Sequence, residues 1–331
     1  MPGADEMESQ QVATSARPED AAARPPVSFR LSGARPQAPL DAPPFHEWLA
    51  PDARPWTRFY RTGAGYLLRF PGYADFEISR DGHDVAGWAV DGVPDETIDH
   101  LWHNQVLPLA LSKSGRVVLH ASAIETSGHA IAFVGPSGHG KSTLAVAFAR
   151  DGIPCLADDG LLLDAEDGAL WTVPGHPSIR LWEDSERALV EDGAAKAPAL
   201  AFTPKERFLA SDRIAFSQRR RRLAHLYLLG DPAEDAALDA PHFETIAAGS
   251  AVVELVKNSF LLETEERDDI ARHFAQLSEV VARTPVHRLR YPRRFDALPA
   301  VTLAILAHAR ALDSRPSTRG DSDGWAGGAH S

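Results

Sequence analysis

The chain reads as an α/β protein: a mixed sheet flanked by helices around a nucleotide-binding loop, with a small antiparallel sheet region ahead of it. Three observations predict this. Residues 135–143, Gly-Pro-Ser-Gly-His-Gly-Lys-Ser-Thr, match the G-x-x-x-x-G-K-[S/T] phosphate-binding pattern in full. Immediately before them, Ala130 to Val134 form a continuous apolar run of the kind a strand buried on both faces requires. Much earlier, Tyr66 to Phe70 and Asp75 to Ile78 read as strands on either side of a Pro71-Gly72 turn.

Residues 1–43 are rich in Ala, Pro, Arg and Gln, with too few large apolar groups for burial to offset the entropy of ordering, so they are expected to form a disordered tail outside the fold. Residues 44–115 are expected to form an N-terminal α+β region. Its strand-like pieces fall within 56–93. Thr97, Ile98, Leu101, Trp102, Val106, Leu107, Leu109 and Leu111 then recur at roughly helical spacing. Pro94 fits just before the first turn, and Pro108 should kink or interrupt the helix. Trp102 and His103 read as core and are assigned no chemistry.

Residues 116–312 carry the chemistry. Arg116 to Ile124 reads as one strand, joined by a Ser127-Gly128 turn to the strand entering the loop. Gly135, Gly138 and Gly140 leave backbone amides free to face phosphate, and the following helix N-terminus adds positive potential. Pro136, Ser137 and His139 complete the cradle. Lys141 would reach the β and γ phosphates, Ser142 offers a hydroxyl to magnesium, and Thr143 begins a helix that stops near Gly152. Next comes a strand from Ile153 to Ala157, ending in Asp158-Asp159, and then the apolar run Leu161 to Leu163. Acids at the carboxyl end of a strand can face the phosphates, one holding the metal and the other accepting a proton. Both can do so only through a turn or bulge, which Gly160 makes feasible. The same residues equally fit an exposed hairpin turn, and spacing alone does not choose.

Further on, Lys205 and Arg207 are candidates to stabilise the transferred phosphate, with exposed loop charges as the plain alternative. Arg219 to Arg222 precede a strand candidate, Ala224 to Leu229, and read as a solvated loop. Residues 251–284 look helical, with Val253, Leu255, Val256, Phe260, Ile270, Phe274, Leu277 and Val280 on apolar faces. A final helix spans about Leu298 to Leu312, and residues 313–331 read as a second disordered tail.

Three motifs in order, His120-Ala121-Ser122-Ala123-Ile124, the loop 135–143 and Ala157-Asp158-Asp159, make residues 120–159 resemble the catalytic core of the HPr kinase/phosphorylase family. Pro174 to Trp182 is similar to outlying HPr-kinase-like relatives from peptide-modification clusters. The resemblance implies a P-loop core of HPr-kinase type that phosphorylates a serine on a small protein. It makes Lys141 the phosphate lysine, Ser142 a metal ligand, Asp158 the general base and Asp159 a second metal contact. It also implies that His120 lies beside the reacting groups and Arg180 near the nucleotide. The family's glutamate two positions before that arginine is Ser178 here, and the reverse phosphorolysis is not carried over.

With 331 residues and 44% hydrophobic content, the chain can bury a substantial core. A formal net charge of −12 argues against a nucleic-acid-binding surface. The single cysteine, Cys155, excludes an internal disulfide and a cysteine zinc cluster. The histidines lack ligand spacing such as H-E-x-x-H, so magnesium accompanying ATP is the only metal expected. The opening residues lack the pattern of a secretory signal and no apolar run reaches membrane-span length, so no membrane association and a cytoplasmic location are expected. The reading is an ATP-dependent kinase acting on a serine of a protein or peptide. An ATP-binding regulatory module and a simple ATPase are the alternatives. Family members assemble through the core, so a homo-oligomer is implied by resemblance, but no apolar stripe defines its interface.

Overall fold

The computed structural model describes residues 27–50, 52–181, 183–189, 206–209 and 214–314. Within them the chain is mixed α/β, with two mixed sheets and packed helices. The first sheet contains β1 (Ser28–Ser32), β2 (His46–Leu49), β3 (Pro55–Arg61), β4 (Gly65–Phe70), β5 (Ala74–Ser79) and β6 (Asp84–Ala89), in the order β1-β6-β5-β4-β3-β2. The turn expected at Pro71-Gly72 joins β4 to β5, with Gly72 at φ 79°. Strand β1 pairs parallel with β6, so the fold begins inside the stretch that composition assigned to a tail. Few apolar groups suffice there, because Phe29 stacks on Trp102 with ring centroids 4.2 Å apart and β6 supplies the backbone partners.

On this sheet lie α1 (Asp95–Leu101), a π-helical turn (Trp102–Val106) and α2 (Leu107–Lys113). The interruption expected at Pro108 takes the form of that turn: the Leu107 amide donates to the Trp102 carbonyl, and Pro108, with no amide to donate, sits at the start of α2. Ile98, Leu101, Trp102 and Leu109 pack against Phe59, Leu68, Phe70 and Phe76.

The second sheet has nine strands among the described residues: β7 (Val117–Leu119), β8 (Ala121–Thr126), β9 (His129–Val134), β10 (Cys155–Ala157), β11 (Leu161–Glu166), β12 (Ala169–Val173), β15 (Arg221–Leu229), β16 (His242–Thr245) and β17 (Val286–Arg290). A separate pair, β13 (Ser178–Leu181) and β14 (Glu206–Leu209), stands beside it. The helices that follow α2 are α3 (Lys141–Arg150), α4 (Glu183–Leu189), α5 (Pro232–Asp235), α6 (Ala248–Lys257), α7 (Arg267–Arg283) and α8 (Leu298–Asp313). Alternation along β9 sets the layers. Ile131 and Phe133 face α3 and α8, meeting Leu144, Phe148, Val301 and Ile305. Ala130, Ala132 and Val134 point the other way, into the core shared with Leu255, Leu277 and Val280.

Three expectations are corrected here. Arg116 to Ile124 is not one strand. The chain breaks at His120, whose amide donates to the Asn258 carbonyl at 2.7 Å, so that β7 pairs with β11 while β8 pairs with β9 and β10. The helical stretch 251–284 is likewise two helices, because the connection between them is drawn onto the sheet edge: Phe260 N donates to Val118 O, and Leu262 N to Ser112 Oγ. The arginine run is also partly in the sheet, with Arg221 and Arg222 in β15 and Arg221 paired to Glu125 at 2.5 Å. The segment Phe295–Asp313 is long and apolar enough by length and composition to cross a membrane. Leu298, Val301 and Ile305 on it are buried against α3 and β9, while Leu303 is exposed.

Strand direction positions the site. β8 runs antiparallel to both β9 and β10, whereas β9, β15 and β17 run parallel to one another. The carboxyl ends of β9, β10, β15 and β17 therefore open on the same edge, where a ligand crevice forms in sheets of this kind.

Candidate active site

The loop 135–140 leaves the end of β9 and leads into α3. Gly138 and Gly140 have φ of 84° and 88°, which a residue with a side chain rarely adopts. A Cβ at Gly140 would also lie 2.4 Å from the Tyr291 hydroxyl. The Lys141 side chain is turned back over the loop, with Nζ donating to the carbonyls of Gly135 at 2.7 Å and Pro136 at 3.0 Å. Arg293 braces the loop from the end of β17: it donates to His139 O and Gly230 O, both at 2.7 Å, and pairs with the fully buried Asp235. Burial raises the Tyr291 phenol to about 12, so it remains a neutral hydroxyl against the loop.

The acidic pair faces inward. Asp159, not Gly160, takes the left-handed conformation, at φ 61°, and β10 and β11 pair with different strands rather than with each other, so the exposed-hairpin alternative is excluded. Asp158 Oδ1 accepts from Ser122 Oγ at 2.5 Å and Ser142 Oγ at 2.8 Å, and Oδ2 accepts from the Arg180 amide at 3.0 Å. Burial, followed by the neighbouring Asp159 charge, pushes the Asp158 carboxyl above its ordinary range against the pull of those donors. Asp159 lies 3.3 Å from the Arg180 guanidinium and 3.8 Å from His120 Nε2. Beneath them, burial holds the Cys155 thiol protonated.

A cavity of about 260 Å³ opens over the loop. Its wall includes Lys141, Ser142, Thr143, Asp159 and Arg180 together with Tyr291, Arg293, Arg294 and Phe295. Thr143 Oγ1 and Ser185 Oγ lie 3.1 Å apart at its rim. A wall with four cationic side chains and a row of loop amides suits a polyanion. Ser142 and Asp159 bring hard oxygen donors to the same wall, a set that suits Mg2+ better than a softer metal.

Most of the expected residues thus converge: Lys141, Ser142, Asp158, Asp159, His120 and Arg180. Lys205 lies outside the described residues. Arg207 is described only as backbone, paired with Arg180 across β13 and β14. Sequence reasoning missed Ser122 as a partner of Asp158, and the Tyr291-Arg293-Asp235 brace. The signal for the brace was present, as Tyr-Pro-Arg-Arg directly after a strand, but only the parallel order of β15 and β17 brings it to the loop.

No family model matches the chain, and no curated protein matches it. Among solved structures it is similar to the HPr(Ser) kinase/phosphatase from Coxiella burnetii, with 13% identity and a TM-score of 0.31 over 59% of this chain and 98% of that one.

Proposed function

We propose that this chain is an ATP-dependent kinase with a P-loop core of HPr-kinase type, transferring the γ-phosphoryl group of ATP to a serine hydroxyl of a small protein or peptide. The observation that carries the reading is the half-buried Asp158 carboxylate, bonded to two serine hydroxyls beside the glycine loop. Its bond from Ser122 has the same chemistry as an acceptor serine donating its proton. Burial keeps the carboxyl more basic than an exposed aspartate, as a general base working near neutrality requires.

In this account the amides of residues 135–143 hold the phosphates, and the Lys141 amine leaves the loop carbonyls for the β and γ oxygens. Ser142 and Asp159 would hold Mg2+, which supplies charge neutralisation across the β and γ phosphates. Arg180 stands over the same wall, and its amide fixes the orientation of Asp158. Asp158 takes the proton from the acceptor hydroxyl as that oxygen attacks the γ phosphorus in line. His120, 3.8 Å from Asp159, would lie beside the reacting groups. Positioning and electrostatics do most of the work in such a transfer.

The test is to incubate the protein with ATP, Mg2+ and serine-bearing peptides, alongside serine-to-alanine versions, and read the acceptor by intact mass. A phosphate adduct on the serine peptides alone supports the kinase. ADP formed without an adduct indicates an ATPase, and ATP bound without turnover indicates a regulatory module.

A further inference from the structure

Two side chains from one helical stretch and a third from far along the sequence meet apart from the residues that line the loop cavity. Asp99 and His103 stand four residues apart, where α1 passes into the π turn, and His176 lies in the segment that enters β13. One donor atom from each lies within 4.8 Å of the others, and all three residues are half-buried. His103 Nε2 is 3.2 Å from Asp99 Oδ1, and the rings of His103 and His176 are 4.7 Å apart between centroids. Nδ1 of His176 is 3.2 Å from Ser178 Oγ, the kind of outer contact that orients an imidazole.

The donor set identifies the class of ion. Two imidazoles and one carboxylate suit a borderline metal such as Zn2+ or Co2+, whereas Mg2+ and Ca2+ take oxygen. Bond lengths of about 2.0–2.2 Å in a tetrahedral shell place ligand atoms about 3.4 Å apart. The His103–Asp99 pair, at 3.2 Å, is already close to that spacing. Three protein ligands leave a fourth position for water.

We propose that Asp99, His103 and His176 bind one divalent transition-metal ion of the zinc class, tying the helix of the N-terminal layer to the segment that carries Arg180. This ion is distinct from any magnesium that arrives with a nucleotide, and the proposal stands whether or not the chain transfers phosphate. Without a metal the same contacts amount to a histidine–carboxylate pair beside a second ring, and the experiment separates the two cases.

The full chain, stripped with a chelator, is titrated with Zn2+ by calorimetry and with Co2+ by visible absorption. The wild type is expected to take up one equivalent, with Co2+ showing the intense bands of a tetrahedral site that Zn2+ abolishes. His103→Gln and His176→Gln should each weaken binding at least about tenfold, while His242→Gln, on exposed β16, should leave it unchanged. Each variant's melting temperature is compared with and without Zn2+, so that loss of fold is separated from loss of binding. No stoichiometric uptake by the wild type, or uptake unaltered in both ligand variants, overturns the proposal.

Discussion

The hydroxyl of Ser142 donates to Oδ1 of Asp158 at 2.8 Å, joining the first turn of α3 to the end of β10. The same oxygen accepts from Ser122 at 2.5 Å at the start of β8, so one carboxylate gathers three elements at the sheet's ligand edge. Its burial is unfavourable to the charge it must carry, and that tension gives the site its predicted behaviour.

The ionisation of Asp158 sets the pH dependence of the proposed transfer. Its carboxyl is raised by burial and then by Asp159, and only the deprotonated form accepts a proton. The acidic limb of the rate profile is therefore expected above the ordinary aspartate range. In Asp159→Asn, with the neighbouring charge removed, the limb should move to lower pH. A limb unmoved in that variant would mean that another group titrates.

The same shift has a consequence for stability. A group whose folded value is raised stabilises the fold in acid, and that contribution is lost as pH rises through the folded value. At neutral pH the buried charge thus opposes folding. Asp158→Asn is expected to melt higher than wild type near neutrality, with the difference fading in acid, while its phosphotransfer rate falls at least about a hundredfold.

Gly140→Ala is expected to cost at least about 1–2 kcal/mol, because φ of 88° is left-handed and the new Cβ would sit 2.4 Å from the Tyr291 hydroxyl. Adding Tyr291→Phe should recover only the clash and leave the backbone penalty. Denaturant melts of both variants check this, and full recovery in the double variant would show that backbone conformation contributes little.

Away from the site, Glu263 is buried and accepts from Arg61 at 2.7 Å and from the Tyr66 hydroxyl at 3.2 Å, linking the α6–α7 connection to the first sheet. Burial alone would raise this carboxyl, but Arg61 and two backbone amides hold it at about 2. A depressed group stabilises above its unfolded value, near 4.5, and loses that contribution as pH falls toward 2. Glu263→Gln should destabilise by about 2 kcal/mol at neutral pH. The loss should shrink on acidification, as followed by urea melts at several pH values.

The loop, the acidic pair and the strand before them were legible because they are local: glycines where φ is positive, an apolar run with opposite faces, carboxylates at a strand end. What the sequence concealed depends on distant partners. His120 breaks a strand because Asn258 receives its amide, and β1 joins the fold because β6 and Trp102 await it. Gly160 seemed the natural turn residue, yet Asp159 takes the left-handed conformation, which places its side chain between Arg180 and His120. His103 read as core because its companion His176 lies beyond the glycine loop in sequence.

Phosphotransfer by Asp158 and Lys141 is measured as transfer of label from γ-labelled ATP, with Mg2+, to a serine-bearing peptide or small protein, comparing wild type with Asp158→Asn and Lys141→Ala. Label on serine is expected with the wild type, loss of transfer with retained ATP binding in Asp158→Asn, and loss of both in Lys141→Ala. Tight ATP binding by the wild type with no label on any acceptor, unchanged in Asp158→Asn, would contradict that expectation.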